Sequence, residues 1–322
     1  MAGFARLRQK KFLVLGRAGM DLYADPPGTR AEEAQQFSSA LGGSAANIAT
    51  AIVKLGGAAT LVTTVSDDAV GRFIRNQLSH FGVGTQHVAV AGGEARSSLA
   101  VVETRIDDCQ SVIYRNGAAD FALTREVVAA INYDDFGALV VTGTSLALEP
   151  SRSATFHALS LARESGMPII LDVDYRPYSW ASKIEASEIC ARAASLSDII
   201  VGNDVEFAVM AGNGSGLLLA RTMAEEERIA VYKMGEMGSV TFHGTRSFET
   251  PIFAVTALKP TGAGDAFMGG FLMCLAHDHD LETAVLRGSA AAAIVVTRVG
   301  CAPAMPTAPE LASFIASHPA RA

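Results

Sequence analysis

The residues best suited to chemistry stand near the end of the sequence, where Pro260-Thr261-Gly262-Ala263-Gly264-Asp265-Ala266-Phe267 runs a glycine-rich turn into a helix-forming stretch. Such a turn leaves backbone N–H groups without partners beside the positive end of a helix dipole, which makes a cradle for an anion. Transfer of a γ-phosphoryl group asks for positioning, stabilisation of spreading charge, and a base near the attacking oxygen. Asp265, in the first helical turn, is placed to be that base. A carboxylate at a helix start is also stabilised by the dipole in proteins that do no chemistry, so the segment alone leaves both readings open.

Three other stretches carry the same ambiguity. In Gly42-Gly43-Ser44-Ala45-Ala46-Asn47 the bare backbone permits close approach of a polyol, and Asn47, one turn into a helix, offers both donor and acceptor. Asp21, after the first strand, can accept hydrogen bonds from two sugar hydroxyls or serve as a turn residue. Asn203-Asp204-Val205-Glu206 follows a strand, at the carboxyl end where α/β folds place ligands. Glu206 there can position hydrated Mg²⁺, although the same residues also spell a helix cap. Tyr232-Lys233-Met234-Gly235-Glu236-Met237-Gly238 is a strand end and glycine turn, suited to nucleotide phosphates or to a plain hairpin.

The elements that must position these residues alternate. Apolar strands are expected over 11–16, 61–65, 138–142, 168–173, 198–201 and 229–233, with helical spacing over 44–55 and 70–81 and long small-residue helices over 264–276 and 281–298. Phe267, Phe271 and Leu275 should face the core. This is an α/β pattern with a parallel sheet, read as one domain over residues 1–322. Segments at about 17–41 and 96–118 break the alternation and are expected to form a small accessory sheet.

Composition narrows the function classes. With 49% apolar and 18% charged residues the chain can bury a large core. A net charge of −7 without a Lys/Arg block argues against a nucleic-acid or anionic membrane partner. No apolar run reaches the roughly 20 residues of a membrane span, and no signal-peptide pattern opens the chain, which points to the cytoplasm. Cys109, Cys190, Cys274 and Cys301 are far apart and read as reduced, buried thiols. His277 and His279, flanking Asp278, read as a polar helix end rather than a metal site.

Taken in order, the early Asp, GGxxxN, NxxE, KxGxxG and terminal GAGD resemble the ribokinase-like (pfkB-type) carbohydrate kinases, over about residues 11–307. The resemblance implies a central, mostly parallel sheet flanked by helices, with a small β-sheet lid that closes over the sugar and pairs subunits into a homodimer. It implies Asp265 as base with Gly262, Ala263 and Gly264 forming the anion hole. Asp21, Gly42, Gly43 and Asn47 would meet the sugar, Glu206 would lie near Mg²⁺, and Asn203, Lys233, Gly235 and Gly238 would lie toward ATP. The likeness is sharpest to a branch acting on a keto-deoxy sugar acid of inositol catabolism. It rests there on Gly16-Arg17-Ala18-Gly19-Met20-Asp21, Val65-Ser66-Asp67-Asp68, Tyr114-Arg115, the run 172–180, and Ala304-Met305-Pro306-Thr307. Arginine pairs bidentately with a carboxylate, which makes Arg115 and Arg176 candidates for an acid substrate, with a surface ion pair as the plainer role. Rival substrates are 2-keto-3-deoxygluconate, fructose and ribose. Family members activated by potassium commonly carry Asp six residues before the base; here the position holds Lys259, so weak or absent K⁺ activation is expected.

Other classes fare worse. The first strand leads into Gly16-Arg17-Ala18-Gly19 without the GxGxxG of a nicotinamide dehydrogenase, and no GxxxxGK[ST] of a P-loop kinase occurs. A sugar sensor on the same fold would have no need of Asp265.

Overall fold

The computed structural model describes residues 2–225 and 228–318. Its strands are β1 (Lys11–Leu15), β2 (Gly19–Asp25), β3 (Gln36–Gly42), β4 (Ala58–Ser66), β5 (Gly84–Ala91), β6 (Ser98–Val102), β7 (Ser111–Tyr114), β8 (Ala138–Thr142), β9 (Ile169–Asp172), β10 (Ile199–Asn203), β11 (Ile229–Lys233), β12 (Ser239–His243) and β13 (Arg246–Thr250). Nine of them form the central sheet in the order β13-β12-β11-β10-β9-β8-β1-β4-β5. All neighbours from β11 to β5 are parallel, and β12 and β13 close the other edge as antiparallel strands.

Why β1 is apolar throughout is visible in its two faces. Phe12 and Val14 join one core cluster, and Leu13 and Leu15 join the other. A parallel strand covered on both sides gains on every residue, roughly 1.5–3 kcal/mol for each large apolar side chain removed from water, so alternation disappears from the sequence.

The helices are α1 (Ser44–Lys54), α2 (Ala69–His80), α3 (Arg125–Ala129), α4 (Ser151–Glu164), α5 (Lys183–Ser195), α6 (Asp204–Met210), α7 (Gly216–Glu225), α8 (Ala263–Ala276), α9 (Leu281–Val296) and α10 (Ala308–Ser317). On one face of the sheet, α8 packs between α1 and α9 at close range. A Cβ at Gly269 would lie 2.4 Å from the Ala51 side chain, and one at Gly288 would lie 2.8 Å from the Phe267 ring. Phe267, Phe271 and Leu275 are buried there, as their spacing predicts. No helix among the described residues is long and apolar enough to cross a membrane.

The two segments that break the alternation form a separate four-stranded sheet, β3-β2-β6-β7, in which β2 and β6 are parallel and the outer pairs antiparallel. Register fixes its faces. Asp21 stands beside Ala40 and Ala100, Ala100 beside Ile113, and Tyr23 beside Val102. These residues share one face, while Met20, Leu22, Phe37, Leu99, Val101, Val112 and Tyr114 share the other.

Candidate active site

A cleft of about 1140 Å³ lies between the inner face of the small sheet and the carboxyl ends of β9, β10 and β11. Asp21 and Tyr23, successive inward residues of β2, project into it. The Tyr23 hydroxyl donates to Asp21 Oδ2 at 3.1 Å, while Asp21 Oδ1 is buried without a partner among the described residues. Burial raises the Asp21 carboxyl above its ordinary value, against the pull of Arg17, Tyr23 and Lys259. Gly42 does not line the cleft: a Cβ there would sit 2.0 Å from Asp21 Oδ1, so its contribution is the space that the carboxylate occupies. Gly43 does line it, at φ 95°, and a Cβ would meet the Arg17 carbonyl oxygen at 2.4 Å.

Opposite lies the start of α8, where Gly262 caps the helix at φ 86°, a left-handed conformation that glycine adopts without penalty. Asn47 Nδ2, one turn into α1, donates to Asp265 Oδ2 at 2.8 Å, and Asn47 Oδ1 is buried without a partner among the described residues. The two orphan acceptors, Asp21 Oδ1 and Asn47 Oδ1, mark where a polyhydroxylated ligand would supply donors. Lys233, at the end of β11, brings its ammonium to within 3.5 Å of where a Gly264 Cβ would stand, beside the Gly262–Gly264 amides. Desolvation and the nearby Asp174 charge push the Asp265 carboxyl up to about 7, with Asn47, Arg176 and Lys233 opposing.

Around Asp265 the acids accumulate. Asp172 is buried at the end of β9 and raised well above its ordinary value, first by burial, and further by Asp174, Glu206 and Asp265 against the pull of Lys233. Asp174, at φ 38°, accepts from Ser44 Oγ at 2.6 Å and Thr144 Oγ1 at 3.1 Å and pairs with Arg176 at 2.8 Å. A left-handed aspartate held by three partners is a strained placement of the kind that clusters at functional sites. Asn203 and Glu206 form a reciprocal capping box: Asn203 Oδ1 accepts from the Glu206 amide at 2.9 Å and Glu206 Oε2 from the Asn203 amide at 2.7 Å. Both nonetheless line the cleft.

These residues fit a hydrated cation. Among the described residues the four acids Asp172, Asp174, Glu206 and Asp265 are met by the charges of Lys233, Arg176 and, at Asp265, Lys259. Among the described residues no three His, Cys, Asp or Glu side chains converge closely enough to hold a bare metal ion. A Mg²⁺ ion, which keeps several waters and borrows phosphate oxygens, would meet carboxylates such as Glu206 and Asp172 through water.

Several placements differ from expectation or escaped it. Arg115 is not among the cleft-lining residues. Its guanidinium is buried against Asp120, donates to the Thr144 carbonyl at 2.9 Å and lies 4.0 Å over the Phe121 ring. Arg176 is at the cleft as expected. Arg17, Ser44, Asp174 and Tyr178 line the cleft as well; Asp174 carried the one local signal, an acid directly beyond the carboxyl end of a strand. Lys259 is fully buried, with Nζ donating to the Thr261 carbonyl oxygen at the mouth of the glycine turn. Gly235 and Gly238 take φ 59° and 81° in the turn that joins β11 to β12, so the hairpin and the cleft lining are the same structure.

An aspartate at a helix start, a glycine turn flanked by a lysine, and unpaired acceptors facing a small β sheet are the parts a carbohydrate kinase would need. The model of the "pfkB family carbohydrate kinase" matches residues 9–308, and the chain belongs to that family. It is 41% identical over 310 residues to a 5-dehydro-2-deoxygluconokinase of Photobacterium profundum, covering 94% of each chain. Among solved structures it resembles a fructokinase of Xylella fastidiosa with TM-score 0.84 at 24% identity, over 96% of this chain and 98% of that one. A fructokinase of Vibrio cholerae, with fructose, ADP and calcium bound, gives TM-score 0.83 at 25% identity, over 95% and 99%. The fold is ribokinase-like, and the protein is an ATP-dependent sugar kinase.

Proposed function

We propose that the protein transfers the γ-phosphoryl group of ATP to a primary hydroxyl of 5-dehydro-2-deoxy-D-gluconate. The Asn47–Asp265 hydrogen bond carries the catalytic part of this reading, because it joins the polyol side of the cleft to the base at the phosphate cradle. The name of the relative at 41% identity carries the substrate. In the proposed step Asp265 takes the proton of the attacking hydroxyl, which Asp21 and Asn47 orient through their free acceptors. The amides of Gly262, Ala263 and Gly264, with Lys233, stabilise charge on the transferred oxygens. Mg²⁺, held through water by Glu206 and Asp172, would neutralise nucleotide phosphate charge; Asn203, Gly235 and Gly238 would border the nucleotide. Lys259, an ammonium already bonded to the loop beneath the cradle, takes over the task of a monovalent cation.

The cytoplasm, where ATP is available, is the corresponding compartment, and the apolar outer face of the lid supports a homodimer formed through it. The test is ADP release with 5-dehydro-2-deoxy-D-gluconate, 2-keto-3-deoxygluconate, fructose and ribose. The first is expected to give the highest kcat/KM, and the rate to change less than about twofold when tetramethylammonium replaces K⁺, as a buried ammonium needs no exchangeable partner. A higher kcat/KM on fructose or ribose would overturn the substrate assignment.

A further inference from the structure

Three arginines lie at or beside the substrate end of the cleft, and two are already committed. Arg115 is held by Asp120 and the Thr144 carbonyl, and Arg176, 43% exposed, is paired with Asp174 at 2.8 Å. Arg17 is different. It lines the cleft at 8% exposure, yet its side chain makes a single hydrogen bond among the described residues, from Nη1 to Ser98 Oγ at 2.9 Å. No carboxylate of the described residues lies within the 4.0 Å of an ion pair with it, although its charge acts on Asp21. A guanidinium has five N–H donors, and a buried one without an anionic partner is costly until an anion arrives. The backbone makes room for this guanidinium: a Cβ at Gly19 would lie 2.8 Å from Nη1, and Nη2 and Nε have no hydrogen-bond partner among the described residues. The anion is not the transferred phosphoryl group, whose cradle has its own cation in Lys233. Arg17 stands instead with Asp21, and its charge reaches the phenol of Tyr178, which also lines the cleft.

We propose that Arg17 is the receptor of the substrate's carboxylate, pairing with it through two parallel N–H donors and so selecting a sugar acid over a neutral sugar. The proposal rests on the sugar-acid reading above and assigns its specificity to one residue. The experiment compares kcat/KM for the acid with that for its neutral analogue, the same chain ending in a primary alcohol, in wild type, Arg17→Gln and Arg17→Lys. Loss of a bidentate, charge-assisted pair is expected to lower kcat/KM for the acid about 100- to 1000-fold in Arg17→Gln. The neutral analogue should change less than about threefold and the KM for ATP should hold, as neither uses the fork. Arg17→Lys keeps the charge without the fork and should recover about tenfold of the loss; should the Gln variant not fold, the acid-to-neutral ratio of the Lys variant decides. A wild-type enzyme indifferent to the carboxylate overturns the sugar-acid reading and this proposal together. A wild type that prefers the acid, with a variant that keeps the preference or loses both substrates equally, overturns the role of Arg17 alone.

Discussion

Asp265, the proposed base, has its affinity for protons raised by its surroundings. Burial and Asp174 carry its carboxyl from the ordinary 3.8 to about 7, so that much of the population is protonated and idle below neutrality. The acid limb of kcat/KM against pH should therefore fall near 7, with activity rising as the proton leaves. Stability runs the other way: the folded chain binds this proton more tightly than the unfolded chain does, so the contribution is present below about 4 and is lost as pH rises through about 7. Asp265→Asn should remove the limb and lower turnover by roughly two to four orders of magnitude while leaving sugar and ATP binding near wild type. Calorimetric titration beside the kinetic assay checks both halves; a variant with near-normal turnover removes the assignment of the base.

At the scale of elements, the hydrogen bond between Asn47 and Asp265 depends on how closely α1 and α8 approach. Ala51 and Gly269 lie one turn farther along the same faces, four residues on from Asn47 and Asp265, and there the helices nearly touch. Gly269→Ala gains about 1 kcal/mol of helix propensity but forces a Cβ to within 2.4 Å of Ala51, an overpacking that costs roughly 1–3 kcal/mol. Turnover should fall about tenfold as the base shifts, and Ala51→Gly in the same chain should restore it, measured by melting temperature and kcat together. The glycine turn before Asp265 was legible in the sequence because a backbone turn running into a helix is local chemistry. Arginine placements were not: Arg115 is the candidate withdrawn from the cleft, and Arg17 lines the cleft with one side-chain hydrogen bond, to Ser98. Residue type does not distinguish them, since the outcome depends on Asp120 folding back onto one guanidinium and, among the described residues, no carboxylate reaching ion-pair distance of the other. The cap at Asn203 and Glu206 shows the opposite limit, one pattern serving structure while also lining the site.

For the whole molecule, the lid sheet is the part that faces two ways. Phe37, Val112 and Tyr114 are exposed on its outer face beside half-buried Met20, Leu22, Leu99 and Val101, an apolar patch of the kind that marks association. Val112→Asp with Tyr114→Asp should convert a dimer to a monomer in sedimentation at micromolar concentration; a wild-type chain that sediments as a monomer under the same conditions removes the lid interface. Half-exposed stretches at 98–103 and 111–114, and the break in the alternation at about 17–41, made this sheet legible, whereas its strand order depends on the parallel pairing of β2 with β6, Gly19 beside Ser98, which no local pattern encodes. Its two faces are interleaved residue by residue, and that interleaving constrains how the gene can change. Adding or deleting one codon within β2 would turn Asp21 and Tyr23 out to water and drop Met20 and Leu22 onto the ligand, exchanging acceptors for hydrocarbon in a single slip. Length variation is therefore expected only in the connections, at 26–35 and 103–110, which can grow without disturbing the reading frame of either surface.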